Sequence, residues 1–219
     1  MINDLELFAL MKEKLYSAVI CDILDEFDVR DNALEGSIRP LDNNTVLVGR
    51  SFTVLAAEVY AKAKEPYKLL IESIDSLSSE DVFVATTNGF SGAGFWGELL
   101  TNCAMERGAR GAVIDGCARD IKQILELNFP LFVKGFNPLD SLGRVDVIAY
   151  QVPIKCGGVM VKPGDIIFAD RDGIVIIPQG IEKEVVNKAL EKVEEENLVR
   201  DEIKKGVSLG EVFKKHGIL

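Results

Sequence analysis

One segment, residues 94–120, limits the fold more than any other part of the chain. Residues 97–100 read as the start of a helix, and the apolar run 112–114 predicts a short strand. The adjacent pair Arg119-Asp120 follows that strand. In α/β proteins small anions bind where helix N-termini and strand-end loops meet, because free backbone N–H groups and the helix dipole converge there. The segment therefore predicts an α/β protein with a site for a small carboxylated molecule.

Each charged residue of this segment also has a purely structural interpretation. Asp120, followed three positions later by Gln, matches a helix N-cap, and Glu98 at a helix start favours the dipole whatever the function. Arg119 matches an exposed, solvated arginine. Asp115-Gly116 is typical of a turn that ends the strand. Only the combination around one short strand indicates a site, and both interpretations stay open.

The charge balance narrows the range of partners. With 25 Lys and Arg against 35 Asp and Glu, the net charge is −10. This argues against nucleic-acid binding, which relies on clustered basic residues, but is compatible with a basic protein partner. An anionic substrate needs a local basic residue, and Arg119 is the obvious candidate. The single histidine, His216, argues against a serine or cysteine triad and against a histidine-rich zinc site.

The cysteines and the first residues predict a reducing, cytoplasmic environment. The four cysteines are widely spaced without a C-x-x-C pair, so a disulfide framework is not expected. The first residues lack the basic start and long apolar run of a signal peptide. No uninterrupted apolar segment approaches the roughly 20 residues that span a bilayer. We expect a cytoplasmic protein that does not bind membranes.

Three further features carry weaker chemical signals. The glycines of residues 89–94 lack the following Gly-Lys-Ser/Thr of a phosphate-binding loop. Lys134 is a candidate Schiff-base lysine after an apolar run, although one lysine among many is more typical of the surface. Asp170 and Asp172 are typical of a turn.

The pattern of apolar residues predicts a single domain, residues 1–219, with a C-terminal helical extension over about 181–219. No repeat or low-complexity linker interrupts the chain. Helices are predicted at 4–27, 67–74, 98–107, 121–127 and 181–205, and a capping box at 208–211 opens a last short helix. Strands are predicted at 45–57, 81–87, 112–114 and 131–133, and short β segments fill 145–178, with a hairpin that pairs 166–169 with 174–177. The long helix is suited to packing on a neighbouring subunit.

Several motifs match one known family across nearly the whole chain. They are YSAVICDILDEF at 16–27, VGRSFTV at 48–54, GELL at 97–100, D-G-x-x-R-D at 115–120 and VPIKCGGVMVKPGDIIFADRDGIVIIP at 152–178. The chain resembles the 4-hydroxy-4-methyl-2-oxoglutarate aldolase family, which also includes the regulator of ribonuclease activity A proteins. The ordered set of motifs is more specific than any single one.

The resemblance implies a fold, an assembly and a reaction. The implied fold is a compact β/β/α arrangement of the swivelling-domain type, assembled as homotrimers or as hexamers built from two trimers. Aldolases of the family release pyruvate from 4-hydroxy-4-methyl-2-oxoglutarate and related 4-carboxy-4-hydroxy-2-oxoadipate, and they often decarboxylate oxaloacetate. They use a divalent metal, here expected to be Mg²⁺ or Mn²⁺, and no Schiff base.

The resemblance also assigns roles to residues. Arg119 corresponds to the substrate-binding arginine, Asp120 to the direct metal ligand and Glu98 to the carboxylate that holds metal-bound water. The pyruvyl carboxylate is expected on backbone N–H groups of the loop formed by Gly97, Glu98, Leu99 and Leu100.

A glutamate from the adjacent subunit's C-terminal helix is implied as well, and Glu195 or Glu196 is the nearest match. The leading hypothesis is therefore a metal-dependent, pyruvate-forming lyase acting on a small 2-oxo acid. The alternative is a non-catalytic acidic ring that regulates a ribonuclease by binding it. The intact GELL and Arg119-Asp120 motifs, with the glutamate cluster, favour the enzyme.

Overall fold

The computed structural model describes residues 3–217, which form a mixed α/β structure. Its helices are α1 (Asp4–Lys14), α2 (Ser17–Glu26), α3 (Lys68–Asp75), α4 (Glu98–Glu106), α5 (Ile121–Glu126), α6 (Glu182–Lys204) and α7 (Leu209–His216). Its strands are β1 (Arg39–Pro40), β2 (Leu47–Glu58), β3 (Asp81–Thr86), β4 (Gly94–Trp96), β5 (Gly111–Ala118), β6 (Leu131–Phe136), β7 (Val145–Tyr150), β8 (Ile154–Cys156), β9 (Val159–Val161), β10 (Ile166–Ala169) and β11 (Ile174–Ile177). The predicted α/β class with a long C-terminal helix is confirmed.

Four parallel strands form the centre of a nine-stranded sheet. The strand order is β1-β6-β5-β3-β2-β10-β11, with β4 beside β5 and β7 beside β2, while β8 and β9 form a separate hairpin. Strands β2, β3, β5 and β6 run parallel, and α3, α4 and α5 lie in the connections between them. Because the carboxyl ends of parallel strands meet at one edge of a sheet, the residues that follow β5 and β6 lie at the same edge.

Strand β5 is buried along its whole length. All eight of its residues are buried, because β3 and β6 flank it and apolar clusters cover both faces. Ala112 and Ile114 belong to one cluster and Val113 to the other, as the alternation of a strand requires. Burying a side chain such as Ile114 contributes about 1.5–3 kcal/mol. This burial fixes the position of Arg119 and Asp120, which follow directly.

Strand β5 is longer than predicted, and Asp115-Gly116 lie inside it rather than in a terminal turn. Asp115 is only 8% exposed. Its carboxylate accepts hydrogen bonds from Gly157 N–H at 2.9 Å and Thr86 Oγ1 at 3.3 Å, and it lies 3.3 Å from Lys134 Nζ. The turn interpretation is wrong because these partners satisfy the carboxylate and so allow it inside a core strand.

A second apolar cluster lies where α1, α2 and α6 pack over the β10–β11 hairpin. Val185, Val186 and Ala189 of α6 are buried in it, so the first half of the predicted long helix is covered by its own chain. Farther along α6, Leu198 is 60% exposed and Ile203 is 41% exposed. In this second half Val199 is only 7% exposed, so the apolar surface that α6 offers to a neighbouring subunit consists of single exposed side chains such as Leu198 and Ile203.

The predicted helix 4–27 is two helices in the structure. Tyr16, at the start of α2, is extended, with φ −143° and ψ 158°. The carboxylate of Asp170 accepts hydrogen bonds from Ser17 N–H at 2.8 Å and from Ser17 Oγ at 2.7 Å, which satisfies the first turn of α2. Asp170 is thus a hairpin residue, as predicted, that also stabilises a helix start distant in sequence.

The C-terminal half follows the sequence prediction closely. In the hairpin Ile166 pairs with Ile177 and Ala169 with Ile174, and the capping box at Ser208 is present. Within residues 3–217 no helix is both long and apolar enough to cross a membrane.

Arg50 of β2 ties two helices to the sheet. Its guanidinium donates to both carboxylate oxygens of Asp4, at 2.8 and 2.9 Å, and its Nη1 lies 3.0 Å from Glu182 Oε1. The guanidinium also lies over the ring of Phe8, 5.7 Å from its centroid. The hydrogen bond from Arg50 lowers the pKa of Asp4. Since the Arg50 side chain is only 22% exposed, water screens these contacts weakly.

Replacing Arg50 with alanine is expected to lower the free energy of unfolding by about 1.5–3 kcal/mol, because Asp4 and Glu182 lose charge-assisted hydrogen bonds. Urea titration measures the loss. The Asp4 share is present above the ordinary pKa of 3.8 and disappears as the pH falls through the lowered folded-state value. The control is Arg107→Ala, whose ion pair with Asp75 is 48% and 56% exposed and contributes less than about 1 kcal/mol. Equal losses in the two variants would contradict the assignment.

Candidate active site

The end of β5 and the start of α4 are joined by backbone hydrogen bonds. Trp96, the last residue of β4, pairs with Ala118 in β5, and Arg119 N–H donates to the Trp96 carbonyl at 2.9 Å. Residues 97–100 continue from Trp96 into the first turn of α4. The structure thus brings this loop and the Arg119-Asp120 pair together, as the sequence predicts.

Asp120 faces the start of α4 rather than its own helix. Among the described residues, its carboxylate makes no hydrogen bond to the first turn of α5; instead Oδ2 accepts from Glu98 N–H at 3.2 Å. The backbone of Asp120 is left-handed, with φ 58° and ψ 35°, a conformation that Asp tolerates better than most residues. Asp120 thus stands at the N-cap position of α5, as the sequence predicts, but its side chain does not cap that helix, because the left-handed backbone turns the carboxylate to the neighbouring helix.

Two glycines allow Arg119 and Asp120 to lie close against the segment that leads into α4. A Cβ atom on Gly97 would lie 2.8 Å from Asp120 Oδ2, and one on Gly94 would lie 3.0 Å from Arg119 Cβ and 2.6 Å from the Asn137 carbonyl. The distances of 2.8 and 2.6 Å to oxygen are shorter than real Cβ contacts, and the 3.0 Å distance to Arg119 Cβ is tighter than most of them. The absence of a side chain at these positions is thus a requirement of the site.

A network that the sequence did not reveal surrounds Arg119. Its Nη1 lies 3.3 Å from Asp140 Oδ1 and its Nε lies 3.7 Å from Asp120 Oδ2. The Tyr67 hydroxyl donates to Asp140 Oδ2 at 2.8 Å. Burial raises the pKa of Asp140, but hydrogen bonds from Tyr67 and from the Leu142 and Ser141 backbone, together with the charge of Arg119, outweigh it, and the net pKa is below the ordinary value. Burial and the Asp140 hydrogen bond raise the pKa of Tyr67.

The sequence carried only a topological signal for this network. Asp140 follows β6, and Tyr67 follows the long strand β2 and precedes α3. Ligand sites of parallel sheets form from the segments beyond the carboxyl ends of neighbouring strands. Applied to β2 and β6 as well as β5, that rule predicts that the segments after β2 and β6 contribute to the site. It does not predict which residues of those segments do so.

These residues line a cleft of about 270 Å³. Its charged side chains are Arg119, Asp120 and Asp140. Its walls are largely apolar, formed by Tyr67, Leu70, Ile71, Phe95, Leu99 and Leu100. The first N–H groups of a helix have no partner within the helix; in α4 these include the N–H groups of Leu99 and Leu100, at the cleft. The cleft therefore combines anion-binding groups with an apolar wall.

The Glu98 carboxylate points along α4. It accepts a hydrogen bond from the Asn102 side-chain amide, whose Nδ2 also donates to the Glu98 carbonyl at 3.1 Å. The structure thus brings the Glu98 backbone to Asp120, while its side chain lies one turn along the helix. In that position the carboxylate is oriented by Asn102 rather than by the cleft.

The two predicted C-terminal glutamates lie on α6, away from the cleft of their own chain. Glu196 accepts a hydrogen bond from the Tyr16 hydroxyl and lies 3.7 Å from Arg200 Nη2. Glu195 is exposed on the neighbouring position of α6. Since Glu196 is engaged within the chain, Glu195 is the freer carboxylate for a contact between subunits.

Lys134 is held in an ion-pair cluster. Its ammonium contacts Glu35 and lies 3.3 Å from Asp115 Oδ1. The hydrogen bond to Glu35 raises the pKa of Lys134, whereas a Schiff-base lysine needs a lowered pKa to supply the neutral amine. This environment fits a structural role for Lys134, which the sequence analysis favoured over a Schiff-base role.

The carboxylate of Asp120 is compatible with a weakly held hard cation. Within residues 3–217 no group of three or more His, Cys, Asp or Glu side chains forms a ready metal cage. Oδ2 of Asp120 is engaged by Glu98 N–H, while its side chain remains 41% exposed. One carboxylate supplemented by water is a donor set that Mg²⁺ accepts.

A family model described as Aldolase/RraA matches residues 17–176. The chain belongs to the RraA-like family. The match contains all the residues that line the cleft, from Tyr67 to Ser141. It ends before α6, so Glu195 and Glu196 lie outside the matched residues.

Individual members of the RraA-like family agree with this assignment. Protein DlpA of Legionella pneumophila is 34% identical over 176 residues, which are 80% of this chain but only 28% of DlpA. A Halalkalibacterium halodurans protein, provisionally named a 4-hydroxy-4-methyl-2-oxoglutarate aldolase, is 34% identical over 170 residues, 78% of this chain and 77% of that protein. The crystal structure of Streptomyces coelicolor RraAS2, described as an unusual member of the RNase ES inhibitor RraA protein family, has a TM-score of 0.81 and 28% identity, covering 92% of this chain and 100% of that one.

Replacing Gly97 with alanine is expected to displace the Asp120 carboxylate, because the new Cβ would lie 2.8 Å from Oδ2. The loss of the Glu98 N–H partner should lower the free energy of unfolding by about 1 kcal/mol. Urea titration and a crystal structure of the variant measure both effects.

Two controls isolate the contact. Gly210 lies in α7 with open space around its Cβ position, so Gly210→Ala should raise stability by up to about 1 kcal/mol. In an Asp120→Gly background, Gly97→Ala should cost little, since the carboxylate is gone. An unmoved Asp120 in the Gly97→Ala structure would contradict the close-approach argument.

Proposed function

We propose that this protein is a divalent-metal-dependent lyase that releases pyruvate from 4-hydroxy-2-oxo acids, the class to which 4-hydroxy-4-methyl-2-oxoglutarate belongs, with oxaloacetate decarboxylation as a related reaction. The observation that carries the proposal is the meeting of Arg119 and Asp120 with the N-terminus of α4 in one cleft. The name of the Halalkalibacterium halodurans relative supports the same reaction class.

The proposed binding mode uses groups that already face the cleft. The 2-oxo acid carboxylate accepts hydrogen bonds from the unpaired N–H groups of Leu99 and Leu100, where the helix dipole also favours a negative charge. The Arg119 guanidinium binds the adjacent oxygens with its planar donor pair. Its present contacts with Asp140 and Asp120, at 3.3 and 3.7 Å, are long, so a substrate oxygen competes with them readily.

Asp120 is the residue proposed to hold Mg²⁺ or Mn²⁺. When bound, such an ion supplies Lewis acidity at the 2-oxo oxygen of the substrate. Asp120 itself is kept in place by Glu98 N–H and by its left-handed backbone. Asp140, tied to Tyr67 and Arg119, keeps the guanidinium directed toward the cleft.

Cleavage breaks the C3–C4 bond of the substrate. The bonding electrons pass to C3 and the 2-oxo group as a pyruvate enolate, while the C4 hydroxyl loses its proton and becomes a carbonyl. Arg119 stabilises the negative charge as it develops, which lowers the barrier because the interaction is stronger in the transition state than in the substrate. Glu98, once its side chain turns from Asn102 to the cleft, is proposed to hold the water that accepts the proton of the C4 hydroxyl, and protonation at C3 then gives pyruvate.

Pyruvate release is expected to require both the metal and the charged pair. EDTA should abolish it, and Mg²⁺ or Mn²⁺ should restore it. Arg119→Lys keeps the charge but loses the planar donor pair, so it should cost roughly 2–4 kcal/mol of transition-state stabilisation. Asp120→Asn keeps the left-handed backbone and an acceptor for Glu98 N–H but should lose the metal-dependent rate.

A coupled pyruvate assay measures these rates, with Lys122→Ala as the control. Lys122 lies two residues beyond Asp120 and its side chain is 85% exposed, so its removal should leave the rate unchanged. Full turnover in excess EDTA, or a borohydride-trapped adduct at Lys134, would overturn the metal-dependent mechanism. A fully active Asp120→Asn would remove Asp120 as the metal ligand.

We also propose that the active form is a homotrimer or hexamer in which α6 of one subunit reaches the cleft of another. The exposed apolar side chains of Leu198 and Ile203 in the second half of α6 support a contact there. Glu195 is the proposed carboxylate, since Glu196 is engaged by Tyr16.

Glu195→Ala is expected to reduce pyruvate release without dissociating the oligomer, because a single exposed carboxylate contributes little to association. Light scattering measures the mass and the pyruvate assay measures the rate. Glu194→Ala is the matched control on the same exposed stretch of α6. A monomer at micromolar concentration would rule out a shared site.

A second candidate function is ribonuclease regulation by a non-catalytic acidic ring. The net charge of −10 favours a basic protein partner, and RraAS2 is described as a member of an RNase inhibitor family. Inhibition of a ribonuclease that persists in Asp120→Asn, without pyruvate release by the unmodified chain, would replace the lyase proposal.

A further inference from the structure

The proposed substrates include acids with a second carboxylate, which needs a partner of its own in or beside the cleft. Among the described residues that line the cleft, Arg119 is the cationic side chain, and the proposed binding mode uses it at the 2-oxo end. The carboxylates of Asp120 and Asp140 lie beside it. A second substrate carboxylate that loses water there without gaining a cation is unfavourable. A dicarboxylic acid therefore requires a further cation at the cleft.

The turn formed by residues 140–144 carries such a cation at the rim of the cleft. Asp140 and Ser141 line the cleft. Arg144 Nη1 donates to the Asp140 carbonyl at 2.8 Å, and Arg144 N–H donates to the Ser141 carbonyl at 2.9 Å. Within residues 3–217 no ion pair holds the Arg144 guanidinium, and the residue is exposed. Its remaining donors are therefore available to a ligand at this rim.

A second cationic side chain packs on the same turn. A Cβ atom on Gly143 would lie 3.1 Å from Lys62 Cγ, so the aliphatic part of Lys62 lies against the turn. Lys62 is exposed, as Arg144 is. Both cations add to the attraction for a carboxylate beside this turn.

The separation of the two guanidinium groups suits a dicarboxylic acid. Both groups contact Asp140: Arg119 Nη1 lies 3.3 Å from its Oδ1, and Arg144 Nη1 lies 2.8 Å from its carbonyl oxygen. Because these two oxygens of one residue are separated by at most about 6 Å, the two Nη1 atoms are at most about 12 Å apart. An extended five-carbon dicarboxylic acid with a hydrogen bond at each end spans about 13 Å. One such acid is therefore long enough to contact both arginines.

We infer that Arg144 binds the second carboxylate of dicarboxylic 2-oxo acids at the rim formed by Asp140 and Ser141. The inference rests on the proposed function for the reaction and adds a residue that determines its substrate class. The carboxylate of Asp140 faces Arg119 and its carbonyl faces Arg144, so Asp140 lies between the two anion sites. Arg144 is thus a specificity-determining residue, distinct from the groups that bind the 2-oxo end.

Binding of two unreactive acids tests the inference separately from turnover. 2-Oxoglutarate and 2-oxopentanoate have the same number of carbons and differ in whether the last one is a carboxylate or a methyl group. Calorimetry with the intact protein in Mg²⁺ should show 2-oxoglutarate binding about five- to tenfold more tightly. Arg144→Gln should abolish this preference by weakening 2-oxoglutarate alone.

Two further variants separate the charge at this position from other effects. Arg144→Lys keeps the charge without the planar donor pair and should retain part of the preference. Arg171→Gln removes the same charge from an exposed residue between β10 and β11, outside the cleft lining, and should leave the preference unchanged. A purely structural role of Arg144, acting through Asp140 on Arg119, would weaken both acids alike, so the ratio of the two affinities distinguishes the roles.

Turnover gives a second measurement. In the pyruvate assay Arg144→Gln should raise KM for 4-hydroxy-4-methyl-2-oxoglutarate by about five- to tenfold and leave kcat largely unchanged, because a contact with the far carboxylate is equally strong in the substrate and in the transition state.

The outcomes distinguish the inference from the function on which it rests. Equal binding of the two acids by the unmodified protein, an unchanged preference in Arg144→Gln, or an equal loss for both acids in that variant overturns the inference and leaves the lyase proposal standing. A preference for 2-oxoglutarate that depends on Arg144, without pyruvate release from 4-hydroxy-4-methyl-2-oxoglutarate, overturns the lyase proposal and leaves the inference standing. Failure of both acids to bind the unmodified protein overturns both, because the carboxylate site itself is then absent.

Discussion

Burial of β5 on both faces is the constraint on which the rest of the structure depends. A strand flanked by β3 and β6 and covered by two apolar clusters can hold polar side chains only where partners are built for them. Asp115 is the charged side chain within this strand, and Gly157, Thr86 and Lys134 surround its carboxylate as partners. The first charged side chains free of this restriction are those after the strand, so the chemistry of the molecule is concentrated at that edge.

Features that depend on local pattern were predictable from the sequence, and those that depend on distant partners were not. The hairpin at 166–177 follows from two apolar runs around a turn, and it forms in the predicted register. The break within residues 4–27 depends on Asp170, more than 150 residues away. The apolar spacing continues across the break, so it predicted a single helix. Asp115 likewise has the local sequence of a turn and acquires its core position only from its partners.

The same division applies to the site. Arg119 and Asp120 were found because they stand next to each other after a strand, and their proximity to α4 was expected. The direction of the Asp120 side chain was not predictable, since it depends on a left-handed backbone and on the missing Cβ of Gly97. Tyr67 and Asp140 come from separate loops that only the sheet brings together, and neither stands in a motif that marks it.

Two of the residues at the cleft, Tyr67 and Asp120, have positive backbone φ values of 61° and 58°. Such conformations cost on the order of 1–3 kcal/mol each for residues other than glycine. A glycine at either position would relax the backbone and remove the group that faces the cleft. Mutations that make this chain more heat-resistant and mutations that preserve its chemistry thus oppose each other at these positions. A library screened for thermal stability alone should enrich glycine at these two positions. The selected variants would then be more stable but would lack the side chains that face the cleft.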